Sequence, residues 1–237
     1  MKIIVSLLIV LIMTVTSLAA ETLFVEGEEI NCSLIGERET ELPEDYYDYY
    51  GYSDAPVLPA AGFSCLLING EFIRITEYNG DDADLVIPAR ARPWYGSGYD
   101  YPVKEIDAGV FKDNTKIKSV QVSCSINEGA FWGCDNLERV VVNNYSSIIE
   151  SNAFKDCKNL REVIIYGANS IGSRAFSGCE NLESVTLAYG VESIGALAFV
   201  GCKKLESISL PLSVENIGGG LFSGCSKLTS VYVDSDN

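Results

Sequence analysis

The strongest constraint on this chain is a repeat of about 23 residues that begins near residue 103. An isoleucine precedes each repeated phenylalanine by five residues, and positions six, nine and eleven after it are Ile, Leu or Val in every unit. The phenylalanines are Phe111, Phe131, Phe154, Phe176, Phe199 and Phe222. Six units in one register predict a solenoid, in which each coil buries its apolar positions against its neighbours.

Each unit contains one segment with the alternation of a β-strand. In residues 182–187, Val185 and Leu187 point inward while the residues between them point outward. The segment Ile-x-x-x-Ala-Phe-x-x-Cys then returns the chain along the other side, where we expect a short helical turn. The pattern predicts a right-handed coil with a parallel sheet on its concave side.

The repeat resembles a known family. Residues 194–211, Ile-Gly-Ala-Leu-Ala-Phe-Val-Gly-Cys-Lys-Lys-Leu-Glu-Ser-Ile-Ser-Leu-Pro, closely resemble the BspA-type leucine-rich repeats, and residues 171–179 and 217–225 match equally well. The resemblance covers roughly residues 72–237. It implies an α/β leucine-rich-repeat solenoid with a parallel concave sheet, a short helical or irregular convex side and a small β N-terminal cap.

The front of the array departs from the family pattern. Asn114 stands where later units have Cys, and three polar residues replace the Gly that follows the repeated Ile. These three are Asp107, Asn127 and Glu150. The array as a whole is interpreted as six repeats over residues 103–237. We expect the coils that contain these substitutions to be looser than the others.

Two segments precede the array. Residues 1–20 combine Met1-Lys2, an apolar run and small residues at Ser17 and Ala19, which is typical of a cleaved signal peptide; an uncleaved anchor is the alternative. Residues 21–62 form an acidic head with five tyrosines between positions 46 and 52, which is either a solvated tail or a patch for a basic partner or a sugar.

Residues 63–102 are interpreted as a β-hairpin and capping repeat. Asn69-Gly70 separates two apolar segments and favours a type I′ turn. Leu85-Val86-Ile87-Pro88 resembles a degenerate first repeat of the same family. Asp81, Asp82 and Asp84 lack the spacing of a calcium loop, so they are interpreted as turn residues.

The eight cysteines fall into three groups. One cysteine per unit forms a column, interpreted as small buried thiols that fill the turn: Cys134, Cys157, Cys179, Cys202 and Cys225. Cys32 and Cys65 are predicted to form a capping disulfide. Cys124 has no assigned role.

Composition excludes several functions. The chain has no histidine, which excludes His-dependent catalysis and zinc sites with His ligands. Its formal net charge of −16 argues against nucleic acid and anionic membranes as partners. No motif pairs catalytic groups or cradles a phosphate, so we expect no enzyme activity, no cofactor, no metal and no membrane insertion after signal cleavage.

The outward residues of the repeated strands are the candidate ligand-binding site. An apolar and aromatic strip with a charged and hydroxyl-rich border is typical of recognition patches, although β-branched residues also favour strands for their own sake. The candidate residues are Arg139, Val141, Glu162, Ile164, Tyr166, Ser184 and Thr186.

The family resemblance implies an exported recognition or adhesion module, secreted or at the cell surface, that binds an extracellular protein or glycan through the concave face. A structural envelope protein and a regulatory ligand of another exported protein are the alternatives. The last repeat has no visible cap, so an end-to-end homodimer is a further hypothesis. Asn31 and Asn144 precede x-Ser and are glycosylation acceptors only in a eukaryotic host.

Overall fold

A computed structural model describes residues 62–91, 101–144, 147–188 and 190–233. The elements in these residues are strands, in chain order β1 (Phe63–Ile68), β2 (Phe72–Tyr78), β3 (Asp84–Ile87), β4 (Arg90–Ala91), β5 (Tyr101–Ile106), β6 (Ser119–Val122), β7 (Ser125–Ile126) and β8 (Arg139–Val142). They continue with β9 (Ile148–Ile149), β10 (Glu162–Ile165), β11 (Ser170–Ile171), β12 (Ser184–Leu187), β13 (Ser193–Ile194), β14 (Ser207–Leu210), β15 (Asn216–Ile217) and β16 (Ser230–Val233).

Two parallel sheets run along the solenoid. The long-strand sheet contains four-residue strands in the order β12-β10-β8-β6-β3, and β14 and β16 form a separate parallel pair of the same kind. The short-strand sheet begins with β1, β2 and the six-residue strand β5 and continues with the two-residue strands β7, β9, β11, β13 and β15 in that order, while β4 pairs with β5 at its side. Each coil therefore contributes one long and one short strand, and the solenoid predicted from the repeat is confirmed.

The N-terminal hairpin caps the first coil. Asn69 and Gly70 both have positive φ, 51° and 67°, and Glu71 N–H donates to the Ile68 carbonyl across the turn, as the Asn-Gly pair predicts. Strand β2 continues as a parallel neighbour of β5. Strand β3 pairs in parallel with β6, with Leu85 opposite Val120, so the degenerate first repeat is part of the long-strand sheet.

The repeated phenylalanines form one stacked column inside the solenoid. From Phe111 to Phe199, adjacent rings lie 4.5 to 5.4 Å apart between centroids and are within 9° of parallel. Phe63 and Tyr78 of the hairpin contact the Phe111 ring and close the column at its first end. Because the rings from Phe111 to Phe199 are almost completely buried, this column contributes much of the apolar core.

The side of the coil that carries the phenylalanines contains no helix within the described ranges, so the expected helical turn is wrong there and the irregular alternative holds. Residues two before and two after each Phe have positive φ, a conformation that a right-handed helix cannot contain. The two columns are Gly109, Gly129, Asn152, Arg174, Leu197 and Gly220, and Asp113, Gly133, Asp156, Gly178, Gly201 and Gly224.

Backbone hydrogen bonds between coils replace helical bonds on this side. Phe131 N–H donates to the Ala153 carbonyl of the next coil, and Phe154 N–H to that of Ala175, each at 2.8 Å. The turn is thus held by its neighbours rather than by its own i to i+4 bonds.

Glycines after the repeated Ile allow close approach of adjacent coils. Gly172, Gly195 and Gly218 donate N–H to the Ile carbonyl of the preceding coil at 2.6 to 2.7 Å. Asp107, Asn127 and Glu150 make the equivalent bond at 2.8 to 3.1 Å. These front bonds are slightly longer, but the front phenylalanine rings stack most closely, at 4.5 Å between Phe111 and Phe131, so the expectation of looser front coils stays a prediction.

The last described coil exposes residues that are inward-facing in the other coils. Ile217, Val231 and Val233 are 54%, 46% and 65% exposed, whereas their equivalents in the preceding coil, Ile194, Ile208 and Leu210, are at most 5% exposed. None of the described residues forms a helix long and apolar enough to cross a membrane.

Candidate recognition face and thiol column

The outward side chains of the long-strand sheet form rows because its strands pair in parallel and in register. Arg139 lies opposite Glu162, and Glu162 opposite Ser184. Two residues further along the strands, a second row joins β3, β6, β8, β10 and β12. We call this outward surface, with the residues that follow each strand, the recognition face.

The first row of the recognition face is polar and internally paired. Arg139 Nε donates to Glu162 Oε2 at 2.5 Å, and both side chains remain about half exposed. Ser119 Oγ donates to Asp84 Oδ1 at 2.5 Å. Ser184 continues the row and is exposed. An exposed ion pair of this kind adds little stability, about 0 to 1 kcal/mol, but presents both charges to a partner.

The second row consists of Val86, Gln121, Val141, Ile164 and Thr186. Val141 is only 8% exposed because the register places the longer side chains of Gln121 and Ile164 on either side of it. The expectation that Val141 presents a contact surface is therefore corrected: it supports its neighbours. Ile164 is half-buried and Thr186 is exposed.

Two apolar side chains of the recognition face are well exposed. Tyr166, directly after β10, is 44% exposed, as expected from its outward position. Val86 is 52% exposed and was missed as a site residue. The signal that could have found it is the Leu85-x-Ile87 spacing, which aligns with Val120-x-Val122 and so places Val86 in the second row.

The short-strand sheet carries a different surface. A wide-open groove of about 540 Å³ crosses it and is lined mainly by serine, glycine and isoleucine residues, with Asn216 at one end. Its lining contains no charged side chain. Ile148, on β9 of the same sheet, is 45% exposed.

The repeated cysteines form a column along the Phe side. Each thiol donates a hydrogen bond to the Phe carbonyl of the preceding coil, with Sγ to O distances of 3.0 to 3.4 Å. Asn114 occupies the first position of the column. Its Oδ1 accepts from the N–H groups of Lys116 and Ile117, so the side chain holds its own turn instead.

Burial makes the inner thiols inert. Cys134, Cys157, Cys179 and Cys202 have no exposed surface. The pKa of Cys157 and Cys179 is raised chiefly by burial, and that of Cys134 and Cys202 chiefly by the next thiol of the column and then by burial. Cys225 is partly exposed. The pKa of its thiol is lowered to about 7, chiefly by the neighbouring Cys202 side chain and against the effect of burial.

The other cysteines behave differently. Cys124 is completely buried just before β7, and burial together with the Glu105 charge raises the pKa of its thiol, so it is a core residue. Cys65 is buried in β1, but Cys32 lies outside the described residues, so their disulfide stays a prediction. Within the described ranges, no group of three or more Cys, Asp or Glu residues is arranged to hold a metal ion.

The repeat also identifies the family. The sequence model of the BspA type leucine rich repeat region matches in six copies, over residues 99–186 and 124–237, which is more than half of the chain. The chain belongs to the BspA-type leucine-rich repeat family. A search of the curated proteins finds no match.

Solved structures of leucine-rich repeat proteins resemble this one. The T. pallidum leucine rich repeat protein TpLRR is 26% identical, with a TM-score of 0.51, over 74% of this chain and 71% of that one. A leucine rich cell surface protein from Faecalibacterium prausnitzii A2-165 is 28% identical, with a TM-score of 0.49, over 78% of this chain. This chain spans 56% of the length of the Faecalibacterium protein.

Proposed function

We propose that this BspA-type protein is an exported, non-catalytic recognition module that binds an extracellular protein or glycan through the recognition face. The observation that carries the proposal is the placement of exposed Tyr166 and half-buried Ile164 beside the Arg139–Glu162 ion pair. An apolar centre bordered by paired charges is the usual anatomy of a binding patch. The description of a relative as a cell surface protein supports export or surface display.

Binding of the purified chain to a panel of extracellular-matrix proteins and glycans tests this proposal. The variant Ile164→Glu/Tyr166→Ala, first shown to be folded by circular dichroism, should lose binding at least tenfold. The control is Ile148→Glu, which places the same charge at a more exposed isoleucine on the short-strand sheet.

The outcomes separate the alternatives. Equal binding by both variants would move the site away from the recognition face, and the acidic head would be the next candidate. No saturable binding to any panel member would favour a structural envelope role.

The end-to-end homodimer also stays a prediction. Light scattering of the purified chain gives the molecular mass, and Val231→Glu is the variant that should dissociate a dimer.

A further inference from the structure

The long-strand sheet is interrupted at one junction inside the array. Strand β12 is the last strand of the five-stranded sheet, and β14 pairs with β16 instead. The interruption is not an effect of the last described coil, because β14 lies between β12 and β16 and all four of its residues pair in register with β16. The junction between β12 and β14 therefore differs from those before it and from the one after it.

The hydrogen bond that precedes each long strand is missing at the same junction. Glu183 N–H donates to the Arg161 carbonyl at 2.9 Å, and the coils before it repeat this bond. Among the described residues, the equivalent bond from Glu206 N–H to the Glu183 carbonyl is absent. The contact returns one coil later, where Thr229 N–H donates to the Glu206 carbonyl at 3.0 Å. The two coils are thus separated where their long strands begin.

Pro211 explains why the strands also fail to join at their other end. After each of the long strands from β6 to β12, the next residue donates its N–H to the end of the preceding strand at 2.8 to 3.1 Å. These residues are Ser123, Asn143, Tyr166 and Ala188. Pro211 follows β14 in the same position and has no N–H to donate to the Leu187 carbonyl. The sequence itself therefore removes the bond that would close this junction.

The core beneath the junction is less well covered than the core of the neighbouring coil. Val185 and Leu187 of β12 are 8% and 6% exposed, although Val163 and Ile165, which pair with them from β10, are completely buried. An inward residue keeps some exposure when the next strand does not lie fully against its own. The missing bonds and the exposed core thus describe the same gap.

The two coils remain joined on both sides of the gap. On the Phe side, the rings of Phe176 and Phe199 stack at 5.4 Å, and Phe176 N–H donates to the Ala198 carbonyl at 2.8 Å. On the short-strand side, β13 pairs in parallel with β15. Because two sides of the coil are bonded and the third is open, the coils can separate in one direction, which is toward the recognition face.

We propose that the junction between β12 and β14 is a hinge. The coils that carry β14 and β16 turn as one block away from β12, while the Phe column and the short-strand sheet hold the two parts together. Proteins open locally where the fewest bonds resist, and this junction has fewer than the others. Opening exposes the inward residues of β12, so a partner that contacts both β12 and β14 selects the closed state.

Amide hydrogen exchange of the full chain, followed residue by residue by NMR, tests the gap. Glu206 N–H should have a protection factor about tenfold lower than those of Glu183 and Thr229. Thr229 is the critical comparison, because it lies in the last described coil and a chain that merely frays from its end would protect it least.

Pro211→Ala tests whether the proline holds the hinge open. The variant regains an N–H that can donate to the Leu187 carbonyl, and closure of the ladder should raise the protection factor of Glu206 by about tenfold. The matched control is Pro88→Ala, which makes the same change directly after β3, where no long strand precedes within the described residues. Pro88→Ala should leave the protection of Glu206 unchanged.

A bulky thiol reagent reports the opening itself. Val185→Cys, beneath the gap, should react with a polyethylene glycol maleimide about tenfold faster than Val163→Cys, at the paired position of β10. Both variants contain the same native cysteines, so the difference in rate belongs to the introduced thiol. Adding Pro211→Ala to Val185→Cys should slow its reaction, provided that all variants show the circular dichroism of the parent chain.

Three results would overturn the proposal. Lower protection at Thr229 than at Glu206 would mean that the chain frays from its end. Unchanged protection of Glu206 in Pro211→Ala would mean that the proline does not control the gap. Equal labelling of Val185→Cys and Val163→Cys would mean that the junction does not open.

Discussion

The glycine that follows the repeated Ile provides a direct test of how the coils are spaced. A Cβ atom added at Gly195 would lie 2.4 Å from Ser173 N, 2.7 Å from Gly172 C and 2.8 Å from Ser173 Cα. All three atoms belong to the backbone of the preceding coil, so no side chain can turn away to relieve the contact. Gly195→Ala therefore requires the two backbones to separate by about 1 Å to reach ordinary contact distances.

The magnitude follows from that separation. Overpacking of a well-packed interior costs about 1–3 kcal/mol. The same movement stretches the bond from Gly195 N–H to the Ile171 carbonyl, now 2.7 Å, and the loss of such a bond costs about 1 kcal/mol. We expect the free energy of unfolding of Gly195→Ala to be about 2–4 kcal/mol lower than that of a Gly→Ala substitution without such crowding.

The matched control is Gly219→Ala. A Cβ at Gly219 would have no atom within 4 Å, and neither glycine has a positive φ. Both substitutions reduce the entropy of the unfolded chain equally, by about 0.4–1 kcal/mol in favour of folding, so their difference isolates the crowding between coils. Urea denaturation followed by circular dichroism measures both. Equal midpoints for the two variants would refute the reasoning and would mean that the rear coils can separate as freely as those that carry Asp107, Asn127 and Glu150.

Three further expectations follow from the described contacts. Phe154→Ala should lower the free energy of unfolding by about 3–5 kcal/mol in urea denaturation, and Phe222→Ala, at the less buried end of the column, by clearly less. Arg174→Gly should raise the free energy of unfolding by about 0.5–1 kcal/mol, because the exposed arginine has a strained backbone, with φ at 56°, and no packing that offsets the strain. A lower urea midpoint for this variant would count against this reasoning. Burial and the hydrogen bond to Asp82 raise the pKa of Tyr78 from 10.0 to about 12, so the unfolded chain releases this proton at a lower pH than the folded chain. The free energy of unfolding should therefore fall between pH 10 and 12. In urea denaturation at each pH, Tyr78→Phe should lose less of its free energy of unfolding over that range.

The long strands could be predicted from the sequence because four residues suffice to show an alternation. Val185 and Leu187 point inward as expected, with Ser184 and Thr186 exposed. The short-strand sheet could not be predicted in this way, because a two-residue strand contains a single inward residue and shows no alternation. Its pairing depends on the neighbouring coils, which an isolated repeat does not contain.

The expectation of a helical turn on the Phe side is wrong for a related reason, because the turn also depends on neighbouring coils. Its left-handed positions are occupied by glycine in some coils but by Asn152, Arg174 and Leu197 in others, so no glycine column marks them in the sequence. A left-handed residue two positions before the Phe and another two after it end any helical turn. The hydrogen bonds that compensate are made between coils, beyond the reach of local sequence patterns.

On the recognition face, too, the sequence predicts which side chains point outward but not which of them are covered by neighbouring strands. Alternation correctly places Ile164 and Tyr166 outward, but it cannot tell that Val141 is covered, because its exposure depends on the reach of side chains one strand away. Polar Gln121 and buried Val141 separate Val86 from Ile164, so the exposed apolar surface is two separate patches rather than one strip. Because an isolated half-exposed side chain contributes little to affinity alone, a partner of this face must engage Ile164 and Tyr166 together with the Arg139–Glu162 pair. A partner that binds in this way should be sensitive to loss of the ion pair as well as to loss of the apolar contacts, which distinguishes recognition from nonspecific adsorption to an apolar surface.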